Sequence, residues 1–305
     1  MTVSRFVQYQ QFGGPDVIEV AEVDPPHPGA GQVRVRVLAA GLNPVDFKIY
    51  HGGPVAAAYG AVVPSGVGND FSGVIDELGD GVTEWSLGDE VFGSSRNFAE
   101  ADFVVVDAGV LIRKPAGLPF EVAGSLAVVG RTAWASVNAL KLSPADTVLV
   151  SAAAGGVGVL AAQLALARGA TVVGTASTAN HDYLRSLGVV PVGYGDGLAD
   201  RIREAAPQGI TAVLDNHGPA TIEVAVGLGV PLNRINTIAA YGYEGVLVVG
   251  GAAATADDLS HVAQLLADGE LELPIDSIYP LERVREAYER LESGHVRGKI
   301  VLVTE

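Results

Sequence analysis

The sequence predicts an α/β protein in which a doubly wound parallel-sheet domain is inserted in a β-rich domain. Three observations predict it. The first third of the chain is a series of short β segments broken by Gly, Pro and Asp. From residue 147 onward, short apolar runs alternate with helical stretches, the pattern of a parallel sheet wrapped by helices. After about residue 271 the β character returns and ends in Lys299-Ile300-Val301-Leu302-Val303.

In chain order, strands are predicted at 17–23, 33–39, 71–78 and 103–106, where β-branched residues sit between turn residues. The alternating region then reads strand 147–151, helix 156–168, strand 171–175, helix 179–187, and strands 212–215 and 246–249. Residues 275–281, an amphipathic helix to Leu291 and the strand 299–303 complete the chain, and the last is expected to pair back into the first domain. The expected boundaries are 1–122 for the first domain, 123–267 for the inserted one and 268–305 for the return. A cleft between the domains is the expected place for a small molecule.

At 305 residues and 49% hydrophobic content, the chain can fill a core in each domain. No apolar run reaches the length of a membrane span, and Met1 to Gln8 lack the features of a secretory signal, so a cytoplasmic protein is expected. A formal charge of −16 argues against nucleic acid and anionic membranes as partners. The absence of cysteine removes disulfides, thiolate nucleophiles and thiolate metal ligands, so redox chemistry must come from a bound cofactor.

The run Thr147-Val148-Leu149-Val150-Ser151 leads into Ala152-x-x-Gly155-x-x-Gly158 and then a helix carrying Leu160, Gln163 and Leu164. Small residues let the backbone approach a pyrophosphate. The helix amino terminus adds unpaired N–H groups and about half a positive charge. Ala153, Gly155, Gly156, Val157 and Gly158 are therefore candidate dinucleotide ligands in a Rossmann-type domain. Ala152 stands where the commonest fingerprint has its first glycine.

An NAD-selective site places an acid at the end of the second strand, to bond the ribose hydroxyls. Here the chain reads Thr175-Ala176-Ser177-Thr178, with His181 and Arg185 in the next helix, so NADPH is favoured. Two readings stand at Ser177 and Thr178: donors to a 2′-phosphate, or a helix cap with Arg185 as a surface charge. Tyr194 packs either against the adenine or in the core.

With these elements in place, the chain resembles the zinc-independent quinone oxidoreductases, the zeta-crystallin-like group of the medium-chain dehydrogenase/reductase superfamily. The resemblance covers almost the whole length. It rests on Ala39 to Asp46, Gly66 to Val74, Gly88 to Gly93, Gly130-Arg131-Thr132-Ala133-Trp134, the glycine turn and Gly298-Lys299-Ile300-Val301-Leu302. It implies a Rossmann-type domain inserted in a GroES-like catalytic domain, and a homodimer.

It further implies that Asn43 and Asp46 line or support the substrate pocket and that Thr132 contacts the nicotinamide end of the cofactor. The backbones of Val249, Gly250 and Gly251 are expected to meet the carboxamide. Lys48, Tyr50 and Tyr59 are candidates to hand a hydrogen bond or proton to substrate oxygen. Asn43 replaces the cysteine of the zinc branch and Asn69-Asp70 replaces its His-Glu pair. The six histidines, His27, His51, His181, His217, His261 and His295, are dispersed, so no metal is expected. The expected activity is hydride transfer from NADPH to a quinone or α,β-unsaturated carbonyl. The alternatives are a metal-free alcohol or ketone reductase, or a non-catalytic NADPH-binding redox sensor.

Overall fold

Five short strands rich in Val, Leu, Ile and Ala form one parallel sheet, in the order Val190–Val192, Thr171–Thr175, Thr147–Val150, Ala212–Asp215, Ile235–Thr237. The central strands read as continuous apolar runs because both faces of a parallel sheet are covered by helices. A computed structural model describes residues 3–304; Met1 and Thr2 of the amino-terminal segment read above, and Glu305, lie outside the described residues. The chain divides into two units, one running to Val128 and resuming at Pro274, the other comprising Val129–Leu273.

The second unit holds the five-stranded sheet. Its strand order, 3-2-1-4-5 in chain sequence, is that of a Rossmann-type fold. The helix Gly156–Ala167 follows the central strand, and its residues Gly158 to Ala165 are all buried. The core is built from Leu149, Val173, Ile202, Val213, Ile222 and Ile235, and each of these sits on a strand or a sheet-facing helix.

One predicted strand of this unit is corrected. Residues 246–249 form no strand: Leu247 makes an isolated parallel bridge to Asn236, and the chain then runs irregularly. The Asn236 side chain accepts from Val249 N–H at 2.9 Å and donates to its carbonyl at 3.0 Å. An amide side chain thus takes both backbone groups that a sheet ladder would have used. The helix expected at 179–187 is shorter, a 3-10 turn Thr178–Asn180 followed by His181–Ser186.

The first unit is β-rich, as expected of a GroES-like domain. A seven-stranded sheet contains Gln32–Gly41, Asp70–Leu78, Glu90–Ser94, Phe103–Asp107, Ile112–Arg113, Ile275–Pro280 and Lys299–Val303. The terminal strand pairs antiparallel with residues 39–41, which carries Lys299 to the start of the Asn43 segment. A second sheet joins Ile18–Val23, Ser4–Tyr9 and Ser65–Gly66. Tyr9, Tyr50, Tyr288, Leu42 and Ile300 fill the core beside it.

Candidate functional site

In the second unit the glycine turn joins the end of the central strand Thr147–Val150 to the amino terminus of the helix Gly156–Ala167. Gly155 caps the helix Gly156–Ala167, and the first helical bond runs from Val159 N–H to Gly155 O at 2.8 Å. The N–H groups of Gly156, Val157 and Gly158 therefore have no carbonyl one turn back, and they lie at the positive end of a 12-residue helix. A Cβ on Gly158 would stand 2.1 Å from Ala152 O, so only glycine lets this helix rest on the turn. The turn is also tied sideways. Ala153 N–H donates to Thr175 O at 2.9 Å and Ala152 N–H to Thr175 Oγ1 at 3.1 Å. Gly174 makes room for the Ala153 methyl group. Ala152 itself adopts φ +48°, the left-handed conformation that usually selects glycine. This cradle of small residues fits a pyrophosphate group.

At the end of the second strand, Ala176 is buried and Ser177 precedes the Thr178–Asn180 turn. The Ser177 hydroxyl accepts from Asn180 Nδ2 at 3.3 Å and makes no cap to the backbone. His181 Nε2 lies 3.3 Å from Ala176 O. Arg185 turns to Asp182, 2.6 Å away on the helix surface, and Thr178 is exposed. Tyr194 is 57% exposed two residues beyond Val190–Val192, so the core alternative for this ring falls away.

At the other end of the same unit, Thr132 sits on the helix Leu126–Ala139, and a Cβ on Gly251 would lie 3.1 Å from its Oγ1. Ser136, one turn later, donates to Val249 O at 3.2 Å. Thr132, Val249, Gly250 and Gly251 are thus brought together despite the missing strand.

Sequence reasoning passed over a lock under the same sheet edge. Ser151 and Thr237 donate to the two oxygens of buried Asp215 at 2.9 and 2.7 Å, and Gly218 N–H adds a bond at 3.0 Å. An acid closing an apolar strand was the available signal.

In the first unit, Asn43 and Asp46 are sealed in a buried ionic cluster. Asn43 N–H donates to Asp46 Oδ2 at 2.7 Å, Asn69 Nδ2 to Asp46 Oδ1 at 2.5 Å and Asn43 Nδ2 to Asp70 Oδ2 at 3.0 Å. Lys299 Nζ donates to Asn43 Oδ1 and Leu42 O, each at 2.5 Å, and lies 3.8 Å from Asp70. Burial pushes the Asp46 carboxyl up to about 7, against the pull of its hydrogen bonds and of Lys299. Burial likewise pushes Glu100 well up, with Asp46 adding repulsion, and pulls Lys299 down. Tyr288 donates to Glu100 Oε1 at 2.6 Å, while Glu100 Oε2 is enclosed without a hydrogen-bond partner. Lys299 lies in the quoted Gly298–Leu302 segment but reaches the cluster through the pairing of its strand with residues 39–41, and Glu100, outside the strands, joins it only in the folded chain.

Tyr50 is buried and donates to Glu292 at 2.5 Å, and burial together with that carboxylate pushes the phenol further up. Its hydroxyl is committed there rather than presented to a ligand, which removes the physical basis for proton donation from it. Lys48 is exposed on the helix Pro44–Tyr50, and the ring of Tyr59 packs under Arg96.

The donor set around Asn43 does not fit zinc. The amides of Asn43 and Asn69 are engaged with carboxylates, and an ammonium already lies beside Asp70. Among the described residues, no group of three or more His, Asp or Glu side chains converges to hold a metal ion. No helix there is long and apolar enough to cross a membrane.

Residues 29–127 match the alcohol dehydrogenase GroES-like domain and residues 127–302 the zinc-binding dehydrogenase family. The chain belongs to the medium-chain dehydrogenase/reductase superfamily. Among solved structures, this dehydrogenase/reductase is similar to the quinone oxidoreductase from Coxiella burnetii, at 30% identity and a TM-score of 0.83, with 100% of both chains covered. It is 30% identical to the synaptic vesicle membrane protein VAT-1 homolog of Homo sapiens, over 96% of this chain and 84% of that protein. It is 31% identical to a mycocerosic acid synthase-like polyketide synthase of Mycobacterium tuberculosis, over 97% of this chain but 15% of that far longer protein.

Proposed function

We propose that the protein transfers hydride from NADPH to a quinone or an α,β-unsaturated carbonyl compound. The observation that carries the cofactor choice is the strand end Thr175-Ala176-Ser177, where a buried alanine takes the place of the acid that would bond a ribose and repel a 2′-phosphate. Ser177, Thr178 and His181 are the polar groups at that end. Gly155, Gly156, Val157 and Gly158 would hold the pyrophosphate, with Ala153 packed beneath it. Thr132, Val249, Gly250 and Gly251 would meet the nicotinamide.

When bound, NADPH supplies a hydride to an acceptor already electron-poor, whose negative charge delocalises onto oxygen. Such an acceptor needs positioning and hydrogen bonds more than a Lewis acid. In this reading Asn43 and Asp46 support the pocket wall rather than touch the acceptor, because both are buried and fully engaged. The quinone oxidoreductase of similar sequence supports the acceptor class. A cytoplasmic homodimer belongs to the same proposal, and light scattering on the purified chain tests its mass.

The test is NADPH oxidation followed at 340 nm with quinones, enones, aldehydes and ketones, each compared with NADH. Turnover of quinones or enones with at least a roughly tenfold preference for NADPH, about 1.4 kcal/mol, is expected. Turnover of simple ketones with little quinone reduction would move the protein to the ketone-reductase reading. Binding of NADPH with no turnover of any acceptor class would move it to the sensor.

A further inference from the structure

Arg201 stands on the first turn of the helix Leu198–Ala205, half-buried beneath the loop that follows Val190–Val192. Its guanidinium closes that loop completely. Nε donates to Gly193 O at 2.9 Å, one terminal nitrogen donates to Asp196 O at 2.8 Å, and the other reaches Tyr194 O and Gly195 O, each at 3.1 Å. Four consecutive carbonyls thus end on one planar cation, a geometry that the single ammonium of a lysine cannot reproduce. Gly195 and Gly197, at φ +87° and +76°, supply the left-handed turns that bring the carbonyls round. The loop carries Tyr194, whose ring stands mostly in solvent, and a cleft of about 320 Å³ bounded by His181, Val192, Gly193, Arg201 and Glu204 opens beside it. A fixed loop presenting an exposed aromatic ring next to a cleft suits a flat heterocycle.

We propose that Arg201 is a positioning residue for the adenine end of the dinucleotide, acting through the backbone of residues 193–196 to hold the Tyr194 ring as a stacking face. The inference rests on the NADPH-binding reading above and adds the device that fixes one wall of the site. Arg201 itself spends its donors on carbonyls, so its role differs from that of a phosphate-binding arginine.

Calorimetric titration of NADPH into the full-length protein tests the proposal with Tyr194→Ala, Arg201→Lys, Arg201→Met and the Tyr194→Ala/Arg201→Met pair. Loss of an aromatic stacking face weakens binding of a base about tenfold, so Tyr194→Ala is expected to raise Kd by that order. Arg201→Met is expected to raise Kd about fivefold or more, with Arg201→Lys between it and the wild type, and to act on KM for NADPH rather than on kcat. In the Tyr194→Ala background, Arg201→Met should add less than about a further twofold, because the ring it positions is gone. Additive losses, or a Tyr194→Ala protein that binds as the wild type does, would overturn the proposal. If Arg201→Met does not fold, Tyr194→Ala and Arg201→Lys carry the same decision. A wild-type protein that binds neither NADPH nor NADH defeats the functional reading itself, an outcome distinct from additivity.

Discussion

The glycine turn of the second unit and the ionic cluster of the first solve opposite problems. The turn offers backbone N–H groups at a helix end and keeps side chains away: Gly155, Gly156 and Gly158 contribute no Cβ, and charge is supplied by the helix itself. The cluster buries three carboxyl groups, Asp46, Asp70 and Glu100, against the one ammonium of Lys299. A site made of backbone tolerates few side chains but many sequences elsewhere. A site made of buried charge depends on each partner, because any one removed leaves the others desolvated and unpaired.

That difference is broken most directly at Lys299. Lys299→Met keeps the length of the side chain and removes the charge, leaving Asn43 Oδ1 and Leu42 O without their donor and Asp70 without its neighbouring cation. A loss of about 3–5 kcal/mol in unfolding free energy is expected from urea denaturation. A change below about 1 kcal/mol would mean that the cluster holds enough protons to need no cation.

The pH dependence sharpens the same point. Asp46 is held near 7 in the folded chain against an ordinary value of 3.8, so between about pH 4 and 7 the native state binds a proton that the unfolded state has released. Its contribution therefore favours folding at the acidic end of that window and is lost as pH rises through 7, with a slope of at most about 1.4 kcal/mol per pH unit. Glu100, raised for the same reason, acts in the same direction. Asp46→Asn should flatten the dependence of melting temperature on pH between 4 and 7 relative to the wild type. An unchanged slope would remove Asp46 as its source.

The backbone-built site breaks through volume. On Gly158→Ala the new methyl group meets Ala152 O at 2.1 Å, and the helix must move off the turn. Overpacking of this kind costs about 1–3 kcal/mol. Dinucleotide affinity should fall with it, whereas the pH slope set by Asp46 should not change. Calorimetry of NADPH binding and a melt across pH separate the two effects.

How much of each site the sequence disclosed follows from the same contrast. The turn was legible because a backbone requirement maps onto particular residues at fixed spacing, Gly155 and Gly158 after an apolar strand. The cluster was half legible: Asn43 and Asp46 share a segment, but Glu100 and Lys299 join them only through folding, and Lys299 arrives on a terminal strand paired with residues 39–41. Periodicity misread 246–249 because an apolar run reads as a strand whether all its backbone bonds go to a neighbouring strand or, as here, those of Leu247 do while those of Val249 go to the Asn236 side chain. The strand Ser4–Tyr9 passed unread because Arg5 and Gln8 break up its apolar residues, and Glu90–Ser94 because its apolar run is only Val91-Phe92 followed by a glycine. Arg201 was invisible for a further reason. Its partners are carbonyls, which every residue carries.

Cofactor choice offers a smaller perturbation confined to the turn's unit. Ala176→Asp restores an acid at the end of the second strand and should shift preference from NADPH toward NADH by about tenfold, or 1.4 kcal/mol, read as the ratio of kcat/KM values. No shift would place the discrimination elsewhere, with His181 and Ser177 the next residues to replace.

The smallest expected effect tests whether the turn is optimised for its own backbone. Ala152 holds φ +48°, where a Cβ crowds the following carbonyl and glycine does not. Ala152→Gly relieves that strain but gives the unfolded chain more freedom, so the two contributions oppose each other. At a left-handed position the strain term is the larger, and a net gain of about 0.5–1 kcal/mol is expected in urea denaturation. Dinucleotide affinity should stay within about twofold, because the N–H groups at Gly156, Val157 and Gly158 keep their places. A loss of stability would show that the Ala152 methyl group contributes packing that outweighs its conformation. It would then mark this turn as one where side-chain contact, and not backbone freedom alone, has been selected, bringing it closer in kind to the charged cluster of the other unit.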